Sequence, residues 1–553
     1  YAVGGTVSVE NSTLDDNDGY YGGAINISSG TDLTVSDSTI SSNYAYYGGG
    51  IYADQSTTVT LDTVTLDSNL TYYYGGAVYL NSYADLTSTD TVWSSNSGYY
   101  THGTAVFANY DNEITVSGDT FTDNIANYYT SGYHGGGFYL GSYSDLTASD
   151  TVFEGNYGYH GGAIYGSGYN TIDLTDVDFD GNYARYHGGA VYTYYYSDFS
   201  HNGGEYTSNT SYYSGGGIYA YHNVDVDLDD LDFSSSSSLY GYGGAVYHYY
   251  YGDHSVADST FADSTAYYSG GALYLHQLYS SATVARSEFT NNDAQYRYGG
   301  AIHADYYVGL GVTNSDFTSN TSYYSGGAIY QYRYGALLVD ASTFDSNSTD
   351  YGHGGAIYAY PATTGAYDLL VSESDFTDNE TEYHGGAIYA YHIDDLEIED
   401  SSFEGNVAND ANSSYSGGAL YLYYNDDVTM ANNFFCNNEA YYGGGVYSYY
   451  AYGGTDDWTN NIFQENVATH SGGAIYSTTN YYNNLINNTF VGNEATYNGG
   501  DAYYYATYTT ALNNAFAYTV SGDSLYASDY NTDYYSTFTY LSLIHISEPT
   551  RQI

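Results

Sequence analysis

The sequence predicts an all-β chain wound as a right-handed, single-stranded parallel β-helix, a solenoid of about 18 rungs of about 28 residues. Three observations predict it. A glycine pair recurs along the chain, a Phe-x-x-Asn tetrapeptide recurs in register with it, and the segments between them read as short strands without helical period.

The glycine pairs begin at Gly22, Gly48, Gly75, Gly135, Gly161, Gly188, Gly215, Gly243 and Gly270, then at Gly299, Gly326, Gly354, Gly385, Gly417, Gly443, Gly472 and Gly499, with Gly103 as a degenerate copy. Spacings are mostly 26 to 29, about one turn of a three-stranded coil. The unit Tyr383 to Asn406 shows the pattern. Ala387 to Ala390 has strand composition, Leu396 to Ile398 alternates apolar and charged residues, and a third segment ends at Phe403. Three short strands cannot bury their apolar faces alone, but stacking the next unit on top buries them. Helix periods and caps are missing, which argues against an α-solenoid.

Each recurring position has a physical reason. The glycine pair suits a turn at positive φ or a close backbone approach. The next residue is almost always Ala or Gly, which implies crowding, and the one after it (Ile51, Val78, Val106, Phe138, Ile164) suits an inward column. Phe121, Phe153, Phe179, Phe317, Phe403, Phe463 and Phe490 suit a second inward column. The Asn three residues later (Asn124, Asn156, Asn182, Asn320, Asn406, Asn466, Asn493) suits a turn whose side chains hydrogen-bond along the axis as a ladder. Rungs about 4.8 Å apart would make a rod of roughly 85 Å.

The composition is unusual. There are 85 Tyr, 66 Gly, 2 Pro and 1 Cys in 553 residues, so disulfides cannot staple the fold. Asp and Glu number 64 against 5 Arg and no Lys, a net charge of −59. A polyanion of this size repels nucleic acid and anionic membrane surfaces, and no apolar stretch is long enough for a membrane helix. Self-repulsion favours a medium containing salt or calcium. No cofactor is required by any motif, and Ca²⁺ is a possible one.

Leu541 to Arg551 reads LSLIHISEPTR, where the Tyr- and Asp-rich style stops. It looks like a translated sequencing adapter joined to a truncated reading frame. The expected organisation is therefore a β-helix over 1–516, an irregular end over 517–540 and a non-native tail over 541–553.

The pairing of Gly-Gly-Ala-[Ile/Val/Leu] with Phe-x-x-Asn resembles the repeats of polymorphic outer membrane proteins over roughly residues 4 to 516. The resemblance implies a β-helical passenger on an extracellular or outer cell surface, with an adhesive role. The Tyr content and lack of Lys depart from the usual members.

Two columns could carry chemistry. The residue after the apolar one is Tyr in fifteen units: Tyr52, Tyr79, Tyr139, Tyr165, Tyr192, Tyr219, Tyr247, Tyr274, Tyr330, Tyr358, Tyr389, Tyr421, Tyr447, Tyr476 and Tyr503. Strand alternation places it on the outside, either as a stacked ladder or as a strip that also grips sugar rings or a partner surface. The residue before the glycines is His in four consecutive units, His102, His134, His160 and His187, and again at His353 and His384. Stacked imidazoles could bind Zn²⁺ or Cu²⁺ between rungs, although exchange with Tyr47, Ser214 and Asn498 reads as ordinary turn chemistry. Asp pairs at turns, such as Asp229-Asp230 and Asp394-Asp395, cap local backbone and could also attract Ca²⁺.

Catalysis is not expected. A lyase acting on uronate polymers needs cations, and only Arg185, Arg286, Arg297 and Arg333 precede the tail. The departures from the repeat, near 109–133, 360–367 and 409–415, are modest. The sequence therefore reads as a surface or secreted structural and adhesive stalk contacting glycan or another surface protein. A carbohydrate-binding or polysaccharide-cleaving β-helix, and a calcium- or salt-responsive extracellular element, are the alternatives. Unpaired strand edges at the ends of such a helix favour end-to-end self-association.

Overall fold

The computed structural model describes residues 1–126, 132, 134–361, 368–409, 415–449, 454–479, 482–505, 508–517, 525–528, 537–539 and 542–544. Part of the sequence-predicted departure 109–133 (127–131 and 133) and most of the other two (362–367, 410–414) lie outside them. The chain forms two compact units, Tyr1–Ser280 and Ser281–Ile553, each built from the same coil. Every element among the described residues is a strand, and no helix is long and apolar enough to cross a membrane.

One coil of the second unit contains strands Ile388–Tyr391, Asp395–Glu399, Ser402–Glu404 and Val407–Ala408. The first three match the segments read from sequence. The fourth, only two residues long, follows the Phe-x-x-Asn turn. All pairings are parallel and in register with the neighbouring coils: Ile357 with Ile388 and Leu420, Leu369 with Leu396 and Val428, Phe376 with Phe403 and Phe435. A coil thus buries its apolar residues only against the coils above and below, which makes stability a sum over neighbours.

The two glycines of each pair do different work. Gly215 has φ 66°, in the left-handed region, and a Cβ there would lie 2.3 Å from the Ile218 carbonyl oxygen. At Gly216 a Cβ would lie 2.0 Å from the carbonyl oxygen of Gly244 in the next coil. The first glycine is fixed by conformation and contact, the second by close stacking of backbones.

The interior is columnar. In the first unit Trp93, Phe121, Phe153, Phe179, Tyr206, Phe233 and Phe261 stack with ring centroids 4.4 to 5.2 Å apart. In the second, Phe289 to Phe516 stack at 4.7 to 5.0 Å. Burying each such ring contributes about 1.5–3 kcal/mol.

The Asn ladder is present, and it is buried from Asn43 onward. Asn182 donates through Nδ2 to Asn209 Oδ1 at 3.1 Å and to the Phe153 carbonyl at 2.8 Å, while its own Oδ1 accepts from Asn156 Nδ2 and the Asn156 N–H, both at 3.0 Å. The same pattern runs from Asn17 to Asn209 in one unit and from Asn292 to Asn493 in the other. The Asn is thus a core residue that satisfies backbone inside the turn, and Ser236 and Ser264 take its place in two coils.

The acidic surface is organised against its own repulsion. Asp15, Ser41, Asp67 and Ser94 form one register column, in which Ser41 donates to Asp15 at 2.7 Å and Ser94 to Asp67 at 2.6 Å. Ser200 donates to Asp173 and Ser372 to Asp340 in the same way, each at 2.7 Å. A hydroxyl on the next coil both separates like charges and hydrogen-bonds the ionised form.

Pairing continues past Phe516, where the sequence led us to expect an irregular end. Leu525–Ser528 pairs with Ala502–Tyr505, Thr537–Thr539 with Thr510–Leu512, and Ser542–Ile544 with Ala515–Ala517. The remainder of 541–553 lies outside the described residues.

Candidate binding surface

The strand after each glycine pair alternates strictly. Val191 and Thr193 point inward while Tyr192 and Tyr194 point outward. Parallel register then sets Tyr139, Tyr165, Tyr192, Tyr219, Tyr247 and Tyr274 one above another, with centroids 4.9 to 5.2 Å apart and planes within 25°. In the second unit Tyr330, Tyr358, Tyr389, Tyr421, Tyr447, Tyr476 and Tyr503 repeat the arrangement at 4.6 to 5.1 Å. Tyr52 and Tyr79 stack at 5.0 Å, and Phe107 bridges Tyr79 to Tyr139.

This column faces outward as a stacked ladder and is largely covered. Tyr219 is only 6% exposed and Tyr274 5%. Tyr192, Tyr219, Tyr247 and Tyr274 are covered by the rings stacked on them and by aromatic residues on both flanks. Tyr219 meets His187 at 4.4 Å on one side and Tyr221 at 6.2 Å on the other. Burial pushes the Tyr192, Tyr219 and Tyr330 hydroxyls well above the usual phenol range, with neighbouring Tyr hydroxyls adding to it.

The four His residues are brought together as predicted. Centroids of His102, His134, His160 and His187 follow at 5.1, 5.0 and 5.3 Å. Their rings lie roughly parallel, so the ring nitrogens run side by side rather than converging on one point. His102 Nδ1 accepts the His134 N–H at 3.2 Å, and His187 Nδ1 accepts the Ser214 N–H at 3.2 Å. Burial lowers their pKa values to about 4, 3, 2 and 4, holding them neutral. Among the described residues, no group of three or more His, Cys, Asp and Glu side chains could hold a metal ion.

The open aromatic surface lies in two segments of the coil that sequence reasoning missed. One precedes the glycine pair, with exposed Tyr20, Tyr46, Tyr99, Tyr186 and Tyr240 in the first unit and Tyr296, Tyr351 and Tyr497 in the second; Tyr20 and Tyr46 stack at 4.9 Å. The other occupies the turn after the tyrosine strand. There Tyr143, Tyr169 and Tyr196 stack at 4.8 and 5.5 Å, Tyr251 and Tyr279 at 4.7 Å, and Tyr307 and Tyr334 at 4.8 Å. Many of these turn tyrosines adopt positive φ, as at Tyr143 (61°), Tyr169 (54°) and Tyr334 (61°), where a bulky residue is uncommon. Near this turn the Arg333 guanidinium sits 5.1 Å from the Tyr332 ring and 5.3 Å from Tyr360, within cation–π range.

A further polar cluster is internal. His201, His248 and His254 point into the core of the first unit, where His248 Nδ1 lies 3.3 Å from His254 Nδ1 and His201 Nδ1 lies 2.9 Å from the Tyr206 hydroxyl.

The model of the right handed beta helix region matches residues 23–203 and 258–435, more than half of the sequence, and the chain belongs to that family. The fold is thus a right-handed parallel β-helix of about 18 turns. The Chlamydia polymorphic membrane protein repeat matches residues 462–478, which supports the resemblance read from the Gly-Gly-Ala and Phe-x-x-Asn motifs. No curated protein matches the chain. Among solved structures, a mutant of the PL6-family alginate lyase AlyGC aligns at 9% identity, covering 98% of this chain and 97% of its own, with a TM-score of 0.20. PfbA, a surface adhesin of Streptococcus pneumoniae, aligns at 10% identity over 85% of this chain and 84% of its own, with a TM-score of 0.18. At these scores neither likeness bears on activity.

Proposed function

We propose that this chain is a non-catalytic stalk, displayed on a cell surface or secreted, that makes adhesive contact with glycan or with another surface protein through its exposed tyrosine columns. The observation that carries the reading is the pairing of a coil repeated with little interruption and open, stacked tyrosines at two of its corners. The polymorphic membrane protein repeat supports the surface location. Flat aromatic rings with a polar tip suit both sugar faces and protein partners. The contact surface is placed on the corner tyrosines instead of the covered column from Tyr52 to Tyr503.

The test is binding of the whole chain to glycan and surface-protein arrays, repeated with Tyr46, Tyr99, Tyr186 and Tyr240 changed to Ser. Loss of binding by a variant with unchanged thermal unfolding supports the reading. Unchanged binding, or none by the parent chain, rejects it.

A second reading, an ion-responsive extracellular element, is favoured by carboxylates that stack without an intervening hydroxyl. Glu113 pairs in register with Asp145, and the Glu113 N–H donates to Asp85 on the preceding coil. Asp198 is likewise in register with Asp225. Such columns gather counter-ions loosely. Thermal unfolding in Ca²⁺ against NaCl of equal ionic strength separates specific from bulk screening; identical curves would remove calcium from the picture.

A further inference from the structure

We propose that the turn column Tyr143, Tyr169 and Tyr196 is a site of oxidative cross-linking, in which adjacent coils become joined by dityrosine. The inference concerns a covalent modification and does not depend on what the stalk contacts.

The geometry supplies the proximity. All three residues have the same left-handed backbone, with φ of 61°, 54° and 53°, so their side chains leave successive coils in the same direction. Ring centroids are 4.8 Å apart for Tyr143 and Tyr169 and 5.5 Å for Tyr169 and Tyr196, with planes within 13°. The three rings are 47, 43 and 47% exposed, which leaves room for the rotation that brings two ortho carbons to bonding distance. The composition closes the usual routes to covalent reinforcement, since the chain has one Cys, which is buried, and no Lys.

The chemistry needs an oxidant, and the proposal names hydrogen peroxide used by a one-electron-oxidising haem peroxidase. Each of two phenols gives up one electron and its hydroxyl proton. The two radicals join through ortho carbons, and each ring then returns its displaced ortho hydrogen to its own oxygen. The two electrons and two protons reduce one peroxide to two waters.

The structure also contains an internal control. Tyr192 and Tyr219 stack equally closely, at 5.1 Å and 3°, but are 8 and 6% exposed. Phenol oxidation must release a proton to solvent and meet the oxidant, and side chains only 8 and 6% exposed give little access to either. Spacing alone would cross-link both columns; spacing with solvent access selects the turn column.

The experiment treats the folded chain with a haem peroxidase and hydrogen peroxide, digests it, and maps cross-linked peptides by mass spectrometry in a mixture of isotopically light and heavy chains. The expected result is Tyr143–Tyr169 and Tyr169–Tyr196 links, each two hydrogens lighter than the separate peptides and formed within one chain. Tyr169→Phe removes both links, and Tyr192→Phe leaves them unchanged. Absence of these links in folded protein, links between Tyr192 and Tyr219 at equal yield, or links chiefly between light and heavy chains would each overturn the proposal.

Discussion

Trp93 donates its indole N–H to Asp119 Oδ2 on the next coil at 3.0 Å, both residues being buried. Trp93 stands in its column between Leu66 and Phe121, and Asp119 stands where neighbouring coils carry Thr91 and Thr151. A larger ring with a donor in one column is thus matched by an acceptor in the adjacent one. Asp119 also accepts the Thr91 N–H at 2.9 Å, and burial raises its carboxyl to about 6.

The pair should therefore be replaceable only together. Asp119→Ala leaves the indole N–H and the Thr91 N–H without their acceptor, at a cost of about 1–3 kcal/mol for each buried group left unsatisfied. The double change Trp93→Phe with Asp119→Thr takes the Phe of the next coil and the Thr of the coils on either side, and should recover most of that loss. Denaturant unfolding of the three variants checks it; a double variant no better than Asp119→Ala would break the proposed link.

Asn182 has four hydrogen bonds to two neighbouring coils and the backbone. Asn182→Ala should lower stability by roughly 2–5 kcal/mol, since buried donors and acceptors lose partners on both sides. Asn182→Ser should cost less, because Ser236 already occupies the equivalent position. Hydrogen exchange would show the effect concentrated at the coils of Asn156, Asn182 and Asn209. Uniform loss across the unit would contradict nearest-neighbour stacking.

Gly216→Ala should be more disruptive than its size suggests. The added carbon would lie 2.0 Å from the Gly244 carbonyl oxygen and 2.5 Å from the Ser237 nitrogen, so backbone must move. Overpacking of this kind typically costs about 1–3 kcal/mol. The adjacent Gly217→Ala, whose nearest neighbour would be 3.1 Å away, merely restores the commoner residue and should be mild by the same unfolding assay.

Acid should destabilise the first unit through its internal histidines. Burial lowers His201 to about 3 and His248 to about 4, and moves His254 in the same direction. The unfolded chain, with His near 6.5, then binds more protons than the folded one, so stability falls from about pH 6.5 toward about pH 4. Asp119, raised to about 6, runs the other way in this unit: its penalty is present above that value and fades on acidification toward the unfolded value. Replacing His248 with Leu and His254 with Val copies the neighbouring Leu275 and Val226 and keeps all other charges. This variant should lose less melting temperature between pH 7 and 4 than the parent. Equal losses would assign the acid response elsewhere.

The coil was legible because its constraints repeat. Glycine pairs, the inward Ile and Val column, and Phe-x-x-Asn each recur at one spacing, and parallel stacking turns that spacing directly into register. Tyr219 was placed on the outer side of its strand, but its covering was not legible. Alternation fixes direction only; the covering comes from His187 and Tyr221, which belong to other columns. The open tyrosines were hidden for the opposite reason, since Tyr143 and Tyr169 sit at positive φ in turns where Gly, Asn or Asp would be expected. His248 and His254 gave no signal because their positions are recognisable as internal only by comparison with Leu275 and Val226.

The alternation of Asp15, Ser41, Asp67 and Ser94 has a consequence for how such a chain can lengthen. Copying two successive coils preserves the phase, and every carboxylate still faces a hydroxyl. Copying the single coil that carries Asp67 sets one carboxylate directly against another. Within this stretch the gene is therefore better able to expand in even steps, and the parity of its duplications is written into the surface charge.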